Sequence, residues 1–178
     1  LEAIELLNEI LSHDETLNMR IDCKIRLLLL KGKIFNDLTL LLECVDLAKQ
    51  NHLTGFECSC LVELANMLNQ LDQLSQSQHI LNSIMIKLLA NGTIRDIGNA
   101  FRIEAVNYYS IYQRNPIENA DHLESARISN EKAIEIWRSI DDKQLLKEAL
   151  TLQANVYNHK QDFAQRNFYA RQVRLIEL

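Results

Sequence analysis

Four cysteines, five histidines and several close glutamates are the residues of this chain with chemistry to offer. Cys58 and Cys60 form a C-x-C pair, the nearest approach to a metal motif. On a helix, positions i and i+2 point roughly 200° apart. No second C-x-x-C or H-x-x-x-H stands ready to complete a tetrahedral site. With Cys23 and Cys44, these residues read as reduced thiols, since no framework of paired cysteines is visible. The histidines, His13, His52, His79, His122 and His159, are scattered singly along the chain. Glu131 and Glu135 share a helical face, the spacing that general acid–base work would use. Arg127 and Lys132 stand beside them and Glu124 lies two turns earlier, so the pattern reads as a solvated face of mixed charge. There is no glycine-rich phosphate loop and no G-x-S-x-G. The chain therefore reads as a non-enzyme with no catalytic residue, no cofactor and no metal site.

The elements that carry these residues are long helices. Only four glycines and one proline occur in 178 residues, too few for a fold built on tight β-turns. Hydrophobic residues make up 47%, enough for a packed core. The net charge of −5, with both signs interleaved, argues against a nucleic-acid surface. No apolar run approaches the ~18 residues of a membrane span. The apolar start carries Glu2, Glu5 and Glu9, which argues against a signal peptide. The first residue is leucine, so a fragment of a longer protein is expected.

Internal repeats organise the chain. Counting from Cys58, bulky Leu61, Leu64 and Leu68 fall at positions 4, 7 and 11, and bulky Leu81 and Ile84 at 24 and 27. Small Ala65 and Ser77 fall at positions 8 and 20. That spacing is similar to the tetratricopeptide repeat. Phe101, Ala105 and Tyr108 recur at positions 4, 8 and 11 counted from Gly98, as do Leu150, Ala154 and Tyr157 counted from Lys147. Ile21, Ile25 and Leu28 follow Asn18 in the same way, with Ile25 too large for the small site. Ala3, Leu7 and Ile10 match second-helix positions, so the chain is expected to open on the second half of a severed repeat. Small residues matter because two helix axes approach to roughly 8–10 Å only where the facing side chains permit it.

The expected fold is all-α: a tetratricopeptide-like α-solenoid of antiparallel helix pairs forming one array over 1–178. It consists of a half repeat at 1–12 and repeats near 18–51, 58–91, 98–139 and 147–178. About nine helices are predicted, over 1–12, 14–31, 34–51, 54–70, 73–90, 93–113, 118–139, 142–159 and 161–178. Asn91-Gly92 reads as a helix stop in the left-handed conformation, and Asn115-Pro116 as the other main break. Repeat starts lie 40, 40 and 49 residues apart against the usual ~34, so the third hairpin is enlarged. The inner face of such an array is lined by the first helix of each pair. Its exposed positions give a candidate protein-binding face of Arg26, Asn66, Asn69, Arg102, Tyr109, Asn155 and Asn158. Asparagine amides there suit the backbone of an extended peptide. Tyr109 and Tyr112 either face that surface or pack on the next repeat.

Four stretches carry a family resemblance: residues 77–85 (SQHILNSIM), Asn99-Ala100-Phe101 with Ala105, Ile140-Asp141-Asp142-Lys143 with 154–160 (ANVYNHK), and Gln165-Arg166-Asn167 leading to Ala170. In their order and spacing they resemble the C-terminal tetratricopeptide region of the subunit 5 family of the anaphase-promoting complex (cyclosome). The resemblance spans roughly 74–178 and departs at Gln161, where the family tends to have glycine, and at Arg166, where the template wants a small residue. It implies a non-catalytic scaffold of a mitotic ubiquitin ligase, in nucleus and cytoplasm. The implied partners are the large scaffold subunits 1 and 4, the tetratricopeptide subunits and the small subunit 15, with no nucleic acid and no membrane. The alternative function is a free adaptor that binds an extended peptide in its inner groove.

Overall fold

The computed structural model describes Glu5 and residues 17–176, with side chains from Ile21 onward. The half repeat expected over 1–12, with Ala3, Leu7 and Ile10, lies outside the described residues, as does His13. All regular structure among the described residues is helical. The helices are α1 (Leu17–Phe35), α2 (Leu38–Gln50), α3 (Thr54–Gln70), α4 (Leu74–Asn91), α5 (Ile94–Arg114), α6 (Ala120–Ser139), α7 (Lys143–His159) and α8 (Phe163–Ile176). They group into two compact units, Leu1–Thr93 with α1 to α4 and Ile94–Leu178 with α5 to α8. Within each unit every helix packs on its neighbours in sequence, and the first helices of the two hairpins also touch, α1 with α3 and α5 with α7. The fold class is all-α, built from the adjacent helix pairs of an α-solenoid.

One turn design recurs. Asn36, His52, Asp72, Asp141 and Gln161 all have positive φ, between 51° and 63°. Each lies one or two residues past a helix end, and the next residue's N–H reaches back five positions: Asp37 to Gly32, Leu53 to Ala48, Gln73 to Leu68, Asp142 to Trp137 and Asp162 to Tyr157. This is the Schellman arrangement, which satisfies carbonyls left open at the helix end. In three turns the next residue is an aspartate that caps the following helix. The Asp37 carboxylate accepts from the Thr39 and Leu40 N–H groups, Asp142 from Leu145 and Asp162 from Gln165. One helix is closed and the next opened within two or three residues.

Two expected breaks differ. Helix α1 runs on to Phe35 rather than 31, because Gly32 is tolerated inside the helix and the Asn36-Asp37 turn ends it. The helix does stop at Asn91, but Gly92 is extended (φ −78°, ψ 162°) rather than left-handed. A β-carbon there would meet the Leu88 side chain and carbonyl, so the glycine supplies space and not an unusual φ. Helix α5 ends at Arg114, immediately before Asn115-Pro116.

The first unit encloses Ile25, Leu28, Cys44, Val45, Ala48 and Cys60, with Leu41, Leu64, Met67 and Leu68 packed as a second group. Small positions 8 and 20 meet as the template requires: Ala65 and Ser77 are fully buried, and the Ser77 hydroxyl donates to the Ala65 carbonyl at 2.8 Å. In the second unit Ala105 is buried, whereas Ala154 is only half-buried. The cysteines depart from the expected set of separate thiols. Cys44 and Cys60 are paired in the core as a disulfide with a Cα–Cα separation of 6.4 Å, joining α2 to α3, while Cys58 is buried and outside that pair. The pairing links two helices of different hairpins, so no short-range spacing announces it.

Gly98 of α5 is where the second unit is tightest. An added β-carbon would lie 2.7–2.8 Å from the Trp137 ring and the Ile136 side chain, and Trp137 is fully buried. Helix propensity favours alanine over glycine by about 1 kcal/mol, but overpacking costs about 1–3 kcal/mol. Gly98→Ala is therefore expected to lower stability in a urea titration. Gly55→Ala, whose β-carbon would find only the Asn91 carbonyl at 3.4 Å, is expected to hold or raise it. A second prediction concerns the turns. A left-handed non-glycine residue costs about 1–2 kcal/mol, against roughly 0.4–1 kcal/mol for glycine's freedom in the unfolded chain. Gln161→Gly is expected to stabilise by roughly 0.5–1 kcal/mol on that balance, and Asn36→Gly to change little because asparagine tolerates this region.

Candidate protein-binding faces

The candidate residues fall in both units. In the first, Arg26 is exposed on α1, its guanidinium 5.0 Å from the centre of the Phe56 ring on α3. Asn66 and Asn69 are half-buried on α3. Asn66 lines a cleft of about 160 Å³ with Lys33, Asn36, Glu63 and Gln70, floored by Leu41 and Met67. Across it Lys33 and Glu63 form an ion pair of 2.7 Å. The face of α1 and α3 in this unit is thus polar, amide-rich and of mixed sign, suited to hydrogen-bonding a partner's main chain. The expected pattern located Asn66 but missed Lys33 and Glu63, which lie 30 residues apart and meet only because α1 touches α3.

In the second unit the candidates separate. Tyr109 is half-buried, and its ring meets His159 edge-on with centres 5.7 Å apart. Tyr112 meets the same imidazole at 5.4 Å, and Tyr108 lies 5.7 Å from His122. The three tyrosines pack against Leu123, Ala126 and Val156. Burial, followed by the neighbouring Tyr112, raises the Tyr109 hydroxyl above its usual pKa. Of the two roles open to these rings, packing on the next repeat is the one observed. Asn155 is exposed on α7. Asn158 turns towards α8, where its carbonyl oxygen accepts from Arg166 at 3.4 Å. Arg102 is half-buried on α5.

The charged face of α6 is a ladder. Arg127 joins Glu124 and Glu131, and Lys160, the residue just past α7, closes on Glu124 at 2.6 Å. Behind it lies a buried amide pair. Asn130 donates to the Ala149 carbonyl at 2.8 Å and to Gln153 at 2.7 Å, and Gln153 donates on to Glu131 at 3.3 Å. Glu131 is engaged by this ladder and Glu135 is exposed, so the two do not form a carboxylate pair. Among the described residues no group of three His, Cys, Asp or Glu side chains could hold a metal ion, and no helix is long and apolar enough to cross a membrane.

No protein-family model matches the chain, and no curated protein sequence matches it.

The ladder has a pH signature. Hydrogen bonds from Arg127 and then Lys160 pull the Glu124 carboxyl from 4.5 down to about 2. A carboxyl held low in the folded state stabilises fully above the unfolded value, and that contribution fades as pH falls from about 4.5 towards 2. Solvent screens this exposed group, so the loss is expected at the scale of surface pairs, roughly 0.2–1 kcal/mol. Denaturation at pH 6 and pH 2 should show Glu124→Gln to be less stable than the parent at the higher pH and nearly equal at the lower.

Proposed function

We propose that this chain is part of a non-catalytic scaffold subunit of the anaphase-promoting complex, holding other subunits through its helical faces. The observation that carries the reading is the ordered resemblance over residues 74–178, set on adjacent helix pairs that offer broad polar surfaces. Three stretches of that resemblance occupy structural positions in the fold. Residues 77–85 pack α4 on α3 through buried Ser77, Leu81 and Ile84. Asp141 and Asp142 make a turn and cap, and Arg166-Asn167 bonds back to α7 through Asn158. Such packing and turn residues suit a part that holds a fixed shape between partners. The partners in this reading are scaffold subunits 1 and 4, the tetratricopeptide subunits and small subunit 15, in nucleus and cytoplasm.

A free peptide-binding adaptor is the second reading, favoured by the amide-lined cleft at Asn66. The full-length protein, affinity-purified under native conditions and analysed by mass spectrometry, is expected to bring down the ligase subunits. Recovery without any of them overturns the scaffold reading. Retention instead of a short extended peptide, lost on Asn66→Ala with Asn155→Ala in a variant that still folds, establishes the adaptor.

A further inference from the structure

The Cys44–Cys60 pair takes no part in holding partners, since both side chains are fully buried. Their Cα–Cα separation of 6.4 Å is within the span that a disulfide bridges. Cys44 stands roughly two turns before the end of α2 and Cys60 roughly two turns into α3, so the pair sits just inside the reversal at Asn51 to Leu53. Its neighbours Ile25, Leu28, Val45 and Ala48 are apolar. The same place suits the reduced pair. A thiol packs as a small apolar group, and the Cys44 sulfur lies 3.5 Å from the Ile25 carbonyl oxygen, an acceptor for its S–H. The reversal keeps its own fastening in either state. The Leu53 N–H donates to the Ala48 carbonyl at 2.9 Å, and Leu41 packs with Leu64, Met67 and Leu68. Cys58 lies two residues from Cys60, roughly 200° around α3 from it.

We infer that Cys44 and Cys60 are a reversible redox staple, a dithiol that a low-molecular-weight disulfide such as glutathione disulfide oxidises to a cross-link between the two hairpins of the first unit. The thiolate of one cysteine attacks the small disulfide, forms a mixed disulfide and expels one glutathione thiolate. The thiolate of the other cysteine attacks the protein sulfur of that mixed disulfide and expels the second. The two cysteines lose two electrons and two protons, and one glutathione disulfide becomes two glutathione thiols. Full burial confines the exchange to moments when α2 and α3 part locally. The cross-link suppresses such opening, so it changes flexibility and leaves the fold as it is. What it stiffens is the seam between α2 and α3, and two clefts straddle that seam. Leu41 lines one with Asn66 and Met67, and Leu38 and Leu42 line the other with Leu64 and Leu68. Oxidation therefore fixes both clefts, whichever assembly the chain serves.

The test equilibrates the whole chain, free of air, in glutathione buffers running from fully reduced to disulfide-rich. Acid quenching, unfolding and N-ethylmaleimide labelling then count the thiols by intact mass, and peptide mapping locates them. All four cysteines are expected to be labelled at the reducing end. At the oxidising end Cys44 and Cys60 should be joined and escape the label. Circular dichroism is expected to be the same at both ends. Amide exchange between residues 41 and 64 should be at least about tenfold slower in the oxidised form. Cys58→Ala should leave the cross-link and its midpoint unchanged, and Cys44→Ala should abolish the cross-link. Titration of the parent chain decides the matter should a variant fail to fold. Four labels in every buffer, a cross-link through Cys23 or Cys58, or glutathione retained on one cysteine in place of the cross-link overturns the inference. So does a pair still joined in fully reduced buffer, loss of helix on reduction, or equal amide exchange in the two forms.

Discussion

Reversing a helix within two or three residues takes the chain through the left-handed region here, and five junctions of this protein do so without glycine. The strain is of order 1–2 kcal/mol at His52 and Gln161 and smaller at Asn36, Asp72 and Asp141, whose side chains tolerate the region. It is held because each such turn gains a hydrogen bond spanning five positions and, at three of them, an aspartate cap on the following helix. With so short a connection the two helices have no choice but to lie side by side. Their apolar stripes must then fit at contact distance, so the demand for small residues at the crossing follows from the turn. Ala65 and Ser77 answer it directly: a hydroxyl there spends its hydrogen-bonding capacity on the facing helix's backbone.

The second unit meets the same demand by different means. Its first connection is the longer segment around Pro116, where the Asn119 amide donates to the Ile111 carbonyl and steadies the crossing. The closest approach is moved to Gly98, against the Trp137 ring. The α6–α7 contact is keyed by the buried Asn130–Gln153 pair. A buried amide pair gains little net stability over apolar packing, but slipping the helices would leave it unsatisfied, so it favours one register.

These constraints bear on function through what they leave outside. Burial and turn geometry consume the apolar stripes of the helices, and the surfaces of α1 with α3 and of α6 with α7 are left polar and of mixed sign. Such faces give breadth and orientation in protein contacts more than a single deep site. Tyr109 illustrates the competition, since a ring well suited to a partner is turned instead to His159 and the next hairpin. On α8 the apolar residues Phe168 and Leu175 stay exposed.

Helix existence, order and pairing were legible in the sequence, because the period of apolar residues and the small residues at Ala65, Ser77 and Ala105 report directly on which face must be buried. Helix ends were legible to within a few residues, the widest differences including α1, expected to end at 31 and running to Phe35. Meetings between residues far apart in the chain were not: the Cys44–Cys60 pair, the Lys33–Glu63 bridge, Gly98 beneath Trp137, and the departure of Asn158 towards Arg166. Local periodicity records the direction in which a side chain points from its own helix. What that side chain meets depends on how neighbouring helices are spaced and turned, and that was decided by packing alone.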